Sequence, residues 1–228
     1  MEARLAAIVS ARAVLGMSAM KHEAAADRKF RNAVRIAQGH LQPSLPAGLF
    51  VTDPERTPDL LETIEALPDG IGVLFRHFGR PDQLKLAPQL GKLCRAQFRQ
   101  LIVSADPLLA IRIGAGGVHW PARLTLAATK VLRSQKLGIQ TMSVHSVEEL
   151  RRARCLGMDA ILVSAIFRSD SPSAGTPIGL SRLASFGRNA GMAVYALGGV
   201  TSENAERVSK LSGFASVSGL GEVYRPEA

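Results

Sequence analysis

From Leu49 onward the chain alternates between short, continuously apolar runs and longer stretches in which apolar residues recur every three or four positions. The runs are GLFVTD, GIGVLFRHF, QLIVSAD, GGVHW, GIQTMSVH, DAILVSAIF, MAVYALGG and FASVSGLG. A strand that is apolar on successive residues is dry on both faces, which predicts a parallel sheet covered by helical crossovers. Helical spacing lies between the runs, over Arg80–Gln97, Leu124–Lys136, Ser146–Leu156 and Ser202–Leu211. Ser146 and Glu149 have the spacing of a capping box, in which the serine accepts an orphan amide and the glutamate reaches back to the amide of the capping residue. Thr201 to Asn204 offers similar N-terminal chemistry. Eight such strands in about 180 residues predict an α/β protein, a compact (β/α)8 TIM barrel; an open doubly wound sheet more often uses five or six strands.

Residues 1–45 follow another pattern and are set apart as an N-terminal extension, with residues 46–228 as the barrel domain. The extension is rich in alanine and arginine and poor in acids. Over Ala24–Gln38 it places Phe30, Val34, Ile36 and Ala37 near one face of a helix. Met1–Met20 shares the arginine and alanine content of a transit peptide, but Glu2 argues against one and no continuous apolar centre is present. At the other end, only Gly221–Ala228 follow the eighth strand, so the last barrel helix is expected to be short or missing. The helix of the extension is expected to cover the outside of the barrel near strands eight and one, in the same chain or from a second copy. A homo-oligomer therefore stands among the expectations.

Composition narrows the function classes. The 228 residues carry a net charge of +9, with 46% apolar, 21% charged and 5% aromatic residues. The charges are dispersed and arginine outnumbers lysine, whereas nucleic-acid binders concentrate charge on one face and add aromatics. The balance suits an anionic small molecule, so no nucleic-acid partner is expected. No apolar run reaches the ~20 residues of a membrane span, so no membrane partner is expected. Cys94 and Cys155 have neither zinc nor disulfide spacing and read as buried, reduced thiols of a cytoplasmic protein.

In a (β/α)8 barrel the functional groups gather at the C-terminal ends of the strands. Those ends supply Asp53, Arg76, His77, Ser104, Asp106, His119, Ser143, His145, Arg168, Ser169, Gly198, Gly199, Ser218 and Gly219. His119 and His145 follow consecutive strands and are the candidate proton carriers. The glycine-bearing ends of strands seven and eight suit a phosphate, because loops there offer bare amides and a short helix N-terminus. A glycine at such a turn leaves room for an anion to approach the backbone. A valine at Gly199 is expected to fill that space while sparing the barrel.

The segments GAGGVHW, SVHSVEELRRARCLGMDAILVSAIF, GLSRL and YALGGVTSENAERVSKLSGFASVSGL resemble the thiamine-phosphate synthase/TenI family, over about Leu49 to Leu220. The resemblance implies a TIM barrel of thiamin biosynthesis that binds phosphorylated thiazole and aminopyrimidine precursors, with Mg2+ on the leaving diphosphate in the synthase branch. Carried over position by position, the family's Gln-x-Arg-x-Lys end falls on Leu74, Arg76 and Phe78. Its Asn-Asp end falls on Ser104 and Ala105, and its aspartate after strand four on Leu124. Its Thr-x-Thr-Lys loop falls on Ser169, Asp170, Ser171 and Pro172, and the histidine of the tautomerase branch on Ala165. Mg2+ is thus implied by the family while its ligands are missing, and no metal-binding residue is assigned. What remains is a phosphate-ligand set of Arg76, Ser143, Ser169, Ser171, Gly198, Gly199, Ser218 and Gly219, with His119, His145 and Arg76 as catalytic candidates. The expected partner is a phosphorylated small molecule, taken either by an enzyme of thiamin-precursor metabolism or by a non-catalytic, regulatory binder, with a nucleic-acid-associated basic protein as the remote alternative.

Overall fold

The computed structural model describes residues 2–76, 79–134, 137–169, 171 and 175–226, with side chains from Met20 onward except at residues 83, 126 and 132–134. His77, Phe78, Asp170 and Pro172, singled out above, lie outside the described residues. A long helix α1 (Glu2–Gln38) precedes β1 (Gly48–Val51), α2 (Leu60–Ala66), β2 (Ile71–Phe75), α3 (Pro81–Ala96), β3 (Leu101–Ser104), α4 (Pro107–Ile113) and β4 (Gly117–Trp120). A 3-10 turn (Ala122–Leu124) then leads to α5 (Thr125–Ser134), β5 (Ile139–Val144), α6 (Val147–Cys155), β6 (Ala160–Val163), α7 (Gly179–Ala190), β7 (Ala193–Ala196), α8 (Ala205–Ser209), β8 (Gly213–Ser216) and α9 (Ser218–Val223). The strands pair in parallel in chain order and close between β8 and β1, where Phe50 sits opposite Ser216. No helix among the described residues is long and apolar enough to cross a membrane.

The pleat sorts the strand residues into two apolar layers. Leu49, Val51, Leu74, Ile102, Ala160, Leu162, Tyr195 and Ala215 fill the barrel. Phe50, Val73, Phe75, Val103, Val118, Trp120, Met142, Val144, Ile161 and Phe214 face the helices. This is the burial on both faces that the continuous apolar runs require. By the same alternation Ser104, His119, Thr141 and Ser143 point inward, so the polar part of the barrel interior lies under three neighbouring strands, β3 to β5. The Tyr195 hydroxyl donates to Pro46 O at 2.5 Å near the opposite, N-terminal end of the barrel.

The closure between β8 and β1 depends on α1. Helices α8 and α9 are one to two turns long, too short to cover the outer faces of the strands before them. Phe30, Ala33, Val34 and Ala37 of α1 are buried there, and Phe30 stacks on Phe214 of β8 with ring centroids 5.9 Å apart. Lys29 Nζ pairs with Glu203 at 2.8 Å and Asn32 Nδ2 donates to Glu206 at 2.8 Å, which ties the helix to the α8 region. The Tyr224 hydroxyl, at the end of α9, donates to Asp27 at 2.7 Å.

Four local expectations are corrected. Helix α1 starts at Glu2 rather than near Ala24, because the preceding segment is rich in alanine, the best helix former, and holds no proline. Ala33, not Ile36, completes its buried face, as the spacing i, i+3, i+4, i+7 from Phe30 requires. Glu149 Oε2 accepts from the amide of His145 at 2.6 Å, one residue before the cap, while Ser146 Oγ takes the Glu149 amide at 3.2 Å as the capping box predicts. Cys155 is exposed at the end of α6, whereas Cys94 is buried, and burial pushes its thiol up to about 11.

Candidate functional site

Two clefts open on the C-terminal rim and share Arg76, Ser164 and Leu197. The first, about 930 Å³, lies over β2 to β5 and is lined by Arg76, Ser104, Asp106, His119, Arg123, Ser143, His145, Glu149 and Arg152 among others. The second, about 340 Å³, lies over β6 to β8 and is lined by Asp53, Arg56, Arg76, Arg168, Ser169, Ser171, the Gly198–Thr201 loop, Ser218, Gly219 and Glu222.

Arg76 joins the two. It is the first residue after β2, and its amide donates to Thr52 Oγ1 at 2.9 Å, which holds the chain at the barrel mouth. Its guanidinium lies below the usual arginine range because it is largely desolvated; Asp53 offsets that effect and Arg56 adds to it. A desolvated guanidinium gains most from an anion, since the attraction is not screened by water.

In the second cleft glycine-bearing loops stand beside the charged side chains of Asp53, Arg56, Arg76, Arg168 and Glu222. Gly198 and Gly199 both have positive φ, 94° and 66°. A Cβ on Gly199 would stand 2.3 Å from Arg168 O and 2.8 Å from Phe167 Cβ, and one on Gly219 would stand 2.4 Å from Val200 O. The atoms in the way belong to the neighbouring loops. The glycines are therefore required by the close packing of the loops after β6 and β7, and the expectation that a valine at Gly199 would spare the barrel is corrected. Asn204, the residue before α8, fixes the loop from within: its Nδ2 donates to Gly199 O at 2.9 Å and its Oδ1 accepts from the Thr201 amide at 3.1 Å. In α9 the amide ladder is in place at Gly221, which donates to Val217 O at 2.9 Å. The amides of Ser218 and Gly219 come earlier in that first turn, where a helix has no internal acceptor. Ser169 Oγ accepts from the Ser171 amide at 3.4 Å and so shapes the facing loop.

In the first cleft side chains dominate. His119 lies inside β4 rather than beyond it and is buried, with Nδ1 2.9 Å from Thr141 Oγ1 and Nε2 2.9 Å from Ser143 Oγ. Burial, with Arg76 nearby, pushes its pKa down to about 3, so the imidazole is neutral at neutral pH. His145 stands exposed beyond β5, its Nδ1 3.1 Å from Ser164 O; the carbonyl can only accept, so Nδ1 carries the proton. Both histidines line the cleft, but they occupy different environments: one is locked in the interior and the other stands at the rim.

The donor set does not fit Mg2+, which takes hard oxygen ligands with one or more carboxylates. At the two aligned positions stand a methyl group, Ala105 at φ 61°, and an isobutyl group, Leu124. Asp106, next to Ala105, accepts from the Leu109 amide at 2.8 Å as the cap of α4. The turn after β4 carries Arg123 in place of an acid. Among the described residues no three His, Cys, Asp or Glu side chains form a group that could hold a metal ion.

Thr141, Glu149, Arg56, Arg123 and Arg152 were not singled out as site residues from the sequence. The capping box located Glu149 without showing that it faces the cleft. For Thr141 the signal was its alternation with Ser143 on one strand.

Residues 49–220 match the family described as thiamine monophosphate synthase. The chain is 34% identical over 216 residues to a thiamine-phosphate synthase of Geobacillus kaustophilus, covering 86% of this chain and 93% of that protein. It is 30% identical over 181 residues to a putative thiamine-phosphate synthase 2 of Aquifex aeolicus, covering 77% and 96%. The solved structure of a thiamine phosphate pyrophosphorylase from Pyrococcus furiosus shares the fold, with a TM-score of 0.63 at 20% identity over 78% of this chain and 91% of that one. With a parallel eight-stranded barrel, a glycine-built cleft over its last strands and a match that runs from β1 into α9, the chain belongs to the thiamine monophosphate synthase family.

Proposed function

We propose that this protein of the thiamin-biosynthetic family binds a phosphorylated thiazole-type ligand on the C-terminal face of the barrel. The phosphate occupies the second cleft, on the amides around Gly198–Gly199 and Ser218–Gly219, with Ser169 and Ser171 on the facing loop and Arg76 neutralising its charge. The ring extends into the first cleft towards Ser143, His119 and His145. The observation that carries this reading is the meeting of the glycine-built loops with Arg56, Arg76 and Arg168 in one cleft. Backbone amides and guanidinium groups bind phosphate without a metal.

The standard synthase reaction is a poor fit to the same rim. Breaking the bond from the pyrimidine carbon to diphosphate develops negative charge on the leaving group and positive charge on the ring. Each missing contact to developing charge costs about 3–4 kcal/mol of transition-state stabilisation. Ala105 and Leu124 contribute none. The protein is thus read as a binder of the phosphorylated ligand, with little or no Mg2+-dependent condensation.

The test pairs binding with turnover. Thiazole phosphate is expected to raise the melting temperature with and without Mg2+, since a ligand that binds only the native state stabilises it by mass action. Incubation with hydroxymethylpyrimidine diphosphate, thiazole phosphate and Mg2+ is expected to yield almost no thiamin phosphate. Robust Mg2+-dependent product overturns the second half of the reading, and the absence of any thermal shift with thiazole phosphate overturns the first.

A further inference from the structure

Between helices α6 and α7 runs a groove of about 550 Å³ that shares no residue with the second cleft and meets the first at His145. Its α6 wall carries Val147, Leu150, Arg151 and Arg154, which at i, i+3, i+4 and i+7 fall on one face of the helix. Its α7 wall repeats that spacing with Arg182, Ser185, Phe186 and Asn189, and Ile178 lies just before that helix. Among the described residues no acidic side chain lines the groove. Helix α7 contains no acid, and the two acids of α6 are engaged elsewhere. Glu148 pairs with Arg152, and Glu149 accepts from the His145 amide and lines the first cleft. Arg154 Nε donates to Ala190 O at 2.9 Å, which holds that guanidinium against the end of α7. Among the described residues Arg151 and Arg182 form no ion pair.

From this arrangement we infer that the α6–α7 groove docks an acidic, partly apolar segment of a partner protein. Three guanidinium groups gathered without a counter-charge repel one another, and an anionic partner removes that cost while being steered towards it. Between the arginines lies an apolar strip: Val147 is 62% exposed, and Ile178 and Phe186 are half-buried. Arginine beside apolar side chains is the composition of protein interface cores, and a segment laid along a groove between helices is a recurring mode of recognition. Nucleic acid fits less well, because bases stack on aromatic faces and, among the described residues, Phe186 is the only phenyl ring along the groove. A bilayer takes up a protruding amphipathic face, whereas these arginines flank a concavity. Since the groove meets the first cleft at His145, a partner seated in it borders the mouth of that cleft. The docking surface does not depend on which ligand the clefts hold.

The experiment titrates the full-length protein into a short fluorescein-labelled peptide of glutamates with a leucine at every fourth position, read by anisotropy at low ionic strength, where exposed charges are least screened. Saturable binding to the wild type is expected, and its absence overturns the proposal. The double variant Arg151→Glu/Arg182→Glu is expected to bind at least about tenfold more weakly, because the reversed charges repel the peptide. Lys92→Glu/Arg112→Glu makes the same charge change at exposed positions of α3 and α4 and is expected to bind as the wild type does. Equal losses in the two double variants assign the binding to net charge and overturn the groove. Val147→Asp, a single exposed change within the groove, gives a second reading should the double variant not fold; an unchanged affinity in it overturns the proposal. A peptide with serine in place of leucine is expected to bind about tenfold more weakly, the effect of losing a buried apolar side chain, and equal affinity overturns the apolar part. Displacement by an RNA oligonucleotide at lower concentration than by unlabelled peptide overturns the proposal in favour of nucleic acid. Self-association of the wild type in sedimentation, abolished by Arg151→Glu/Arg182→Glu, overturns it in favour of a second copy.

Discussion

The two halves of the rim sit on one barrel but are built from different materials. Over β6 to β8 the frame of the cleft is main chain, held in shape by glycines whose missing side chains are demanded by neighbouring loops and by Asn204 tying Gly199 to Thr201, with Arg56, Arg76 and Arg168 lining it. Over β2 to β5 it is side chain: Arg76, His119, Ser143, Arg123 and Arg152. A backbone-built site changes only if the fold changes, because every residue type supplies the same amide. A side-chain site is remade by single substitutions that the barrel barely feels.

Four substitutions break or sharpen that contrast. Gly199→Val strikes the backbone-built half: with Arg168 O 2.3 Å from the new Cβ and φ at 66°, it should cost at least about 3 kcal/mol, lower the melting temperature by about 10 °C and abolish phosphate binding together. Phe30→Ala is its control, because it removes a buried ring from the far side of β8. It should cost a similar 3–5 kcal/mol by chemical denaturation while phosphate affinity, measured below the melting range, is preserved. Loss of binding in that variant would show that the rim is not independent of the α1 packing.

Arg76→Gln tests the residue common to both halves. Ligand affinity by calorimetry should fall by about 2 kcal/mol, the value of a charge-assisted hydrogen bond, with the fold intact. An unchanged affinity would remove Arg76 from the site. His119 supplies a pH dependence, because its pKa is lowered on folding from 6.5 to about 3. Between those values the unfolded chain binds the extra proton, so stability is fully present above pH 6.5 and is lost as pH falls towards 3. The slope in this window is at most about 1.4 kcal/mol per pH unit. Urea midpoints at pH 6.5 and 4.5 should show this dependence in the wild type, and His119→Gln should reduce it.

Much of the fold was legible in the chain. Runs such as AILV and GLFV mark strands dry on both faces, and the regular return of such runs counts the eight units of the barrel. Ser146 announced the start of α6, and the apolar spacing around Phe30 announced a helix, which covers β8. The extent of α1 was less legible, since a helix rich in alanine continues without the apolar stripe by which helices are recognised. The site was legible as a set of strand ends but not as an arrangement. His119 and His145 look equivalent in sequence, each near the end of a strand. One is an interior residue held neutral between Thr141 and Ser143, and the other is exposed with its Nδ1 on Ser164 O.

By itself the sequence determined the class of fold and the order of the strands, because these follow from local periodicity. Only the tertiary structure decided which strand residues point inward together, how deeply each is desolvated, and what a glycine's absent side chain would have struck. Those depend on distances between segments far apart in the chain. Thr52 meets the amide of Arg76, Asn204 meets Gly199, and Phe30 meets Phe214 across nearly the whole length of the chain. Closing the barrel brings these partners together, and the burial it creates fixes the charge on His119.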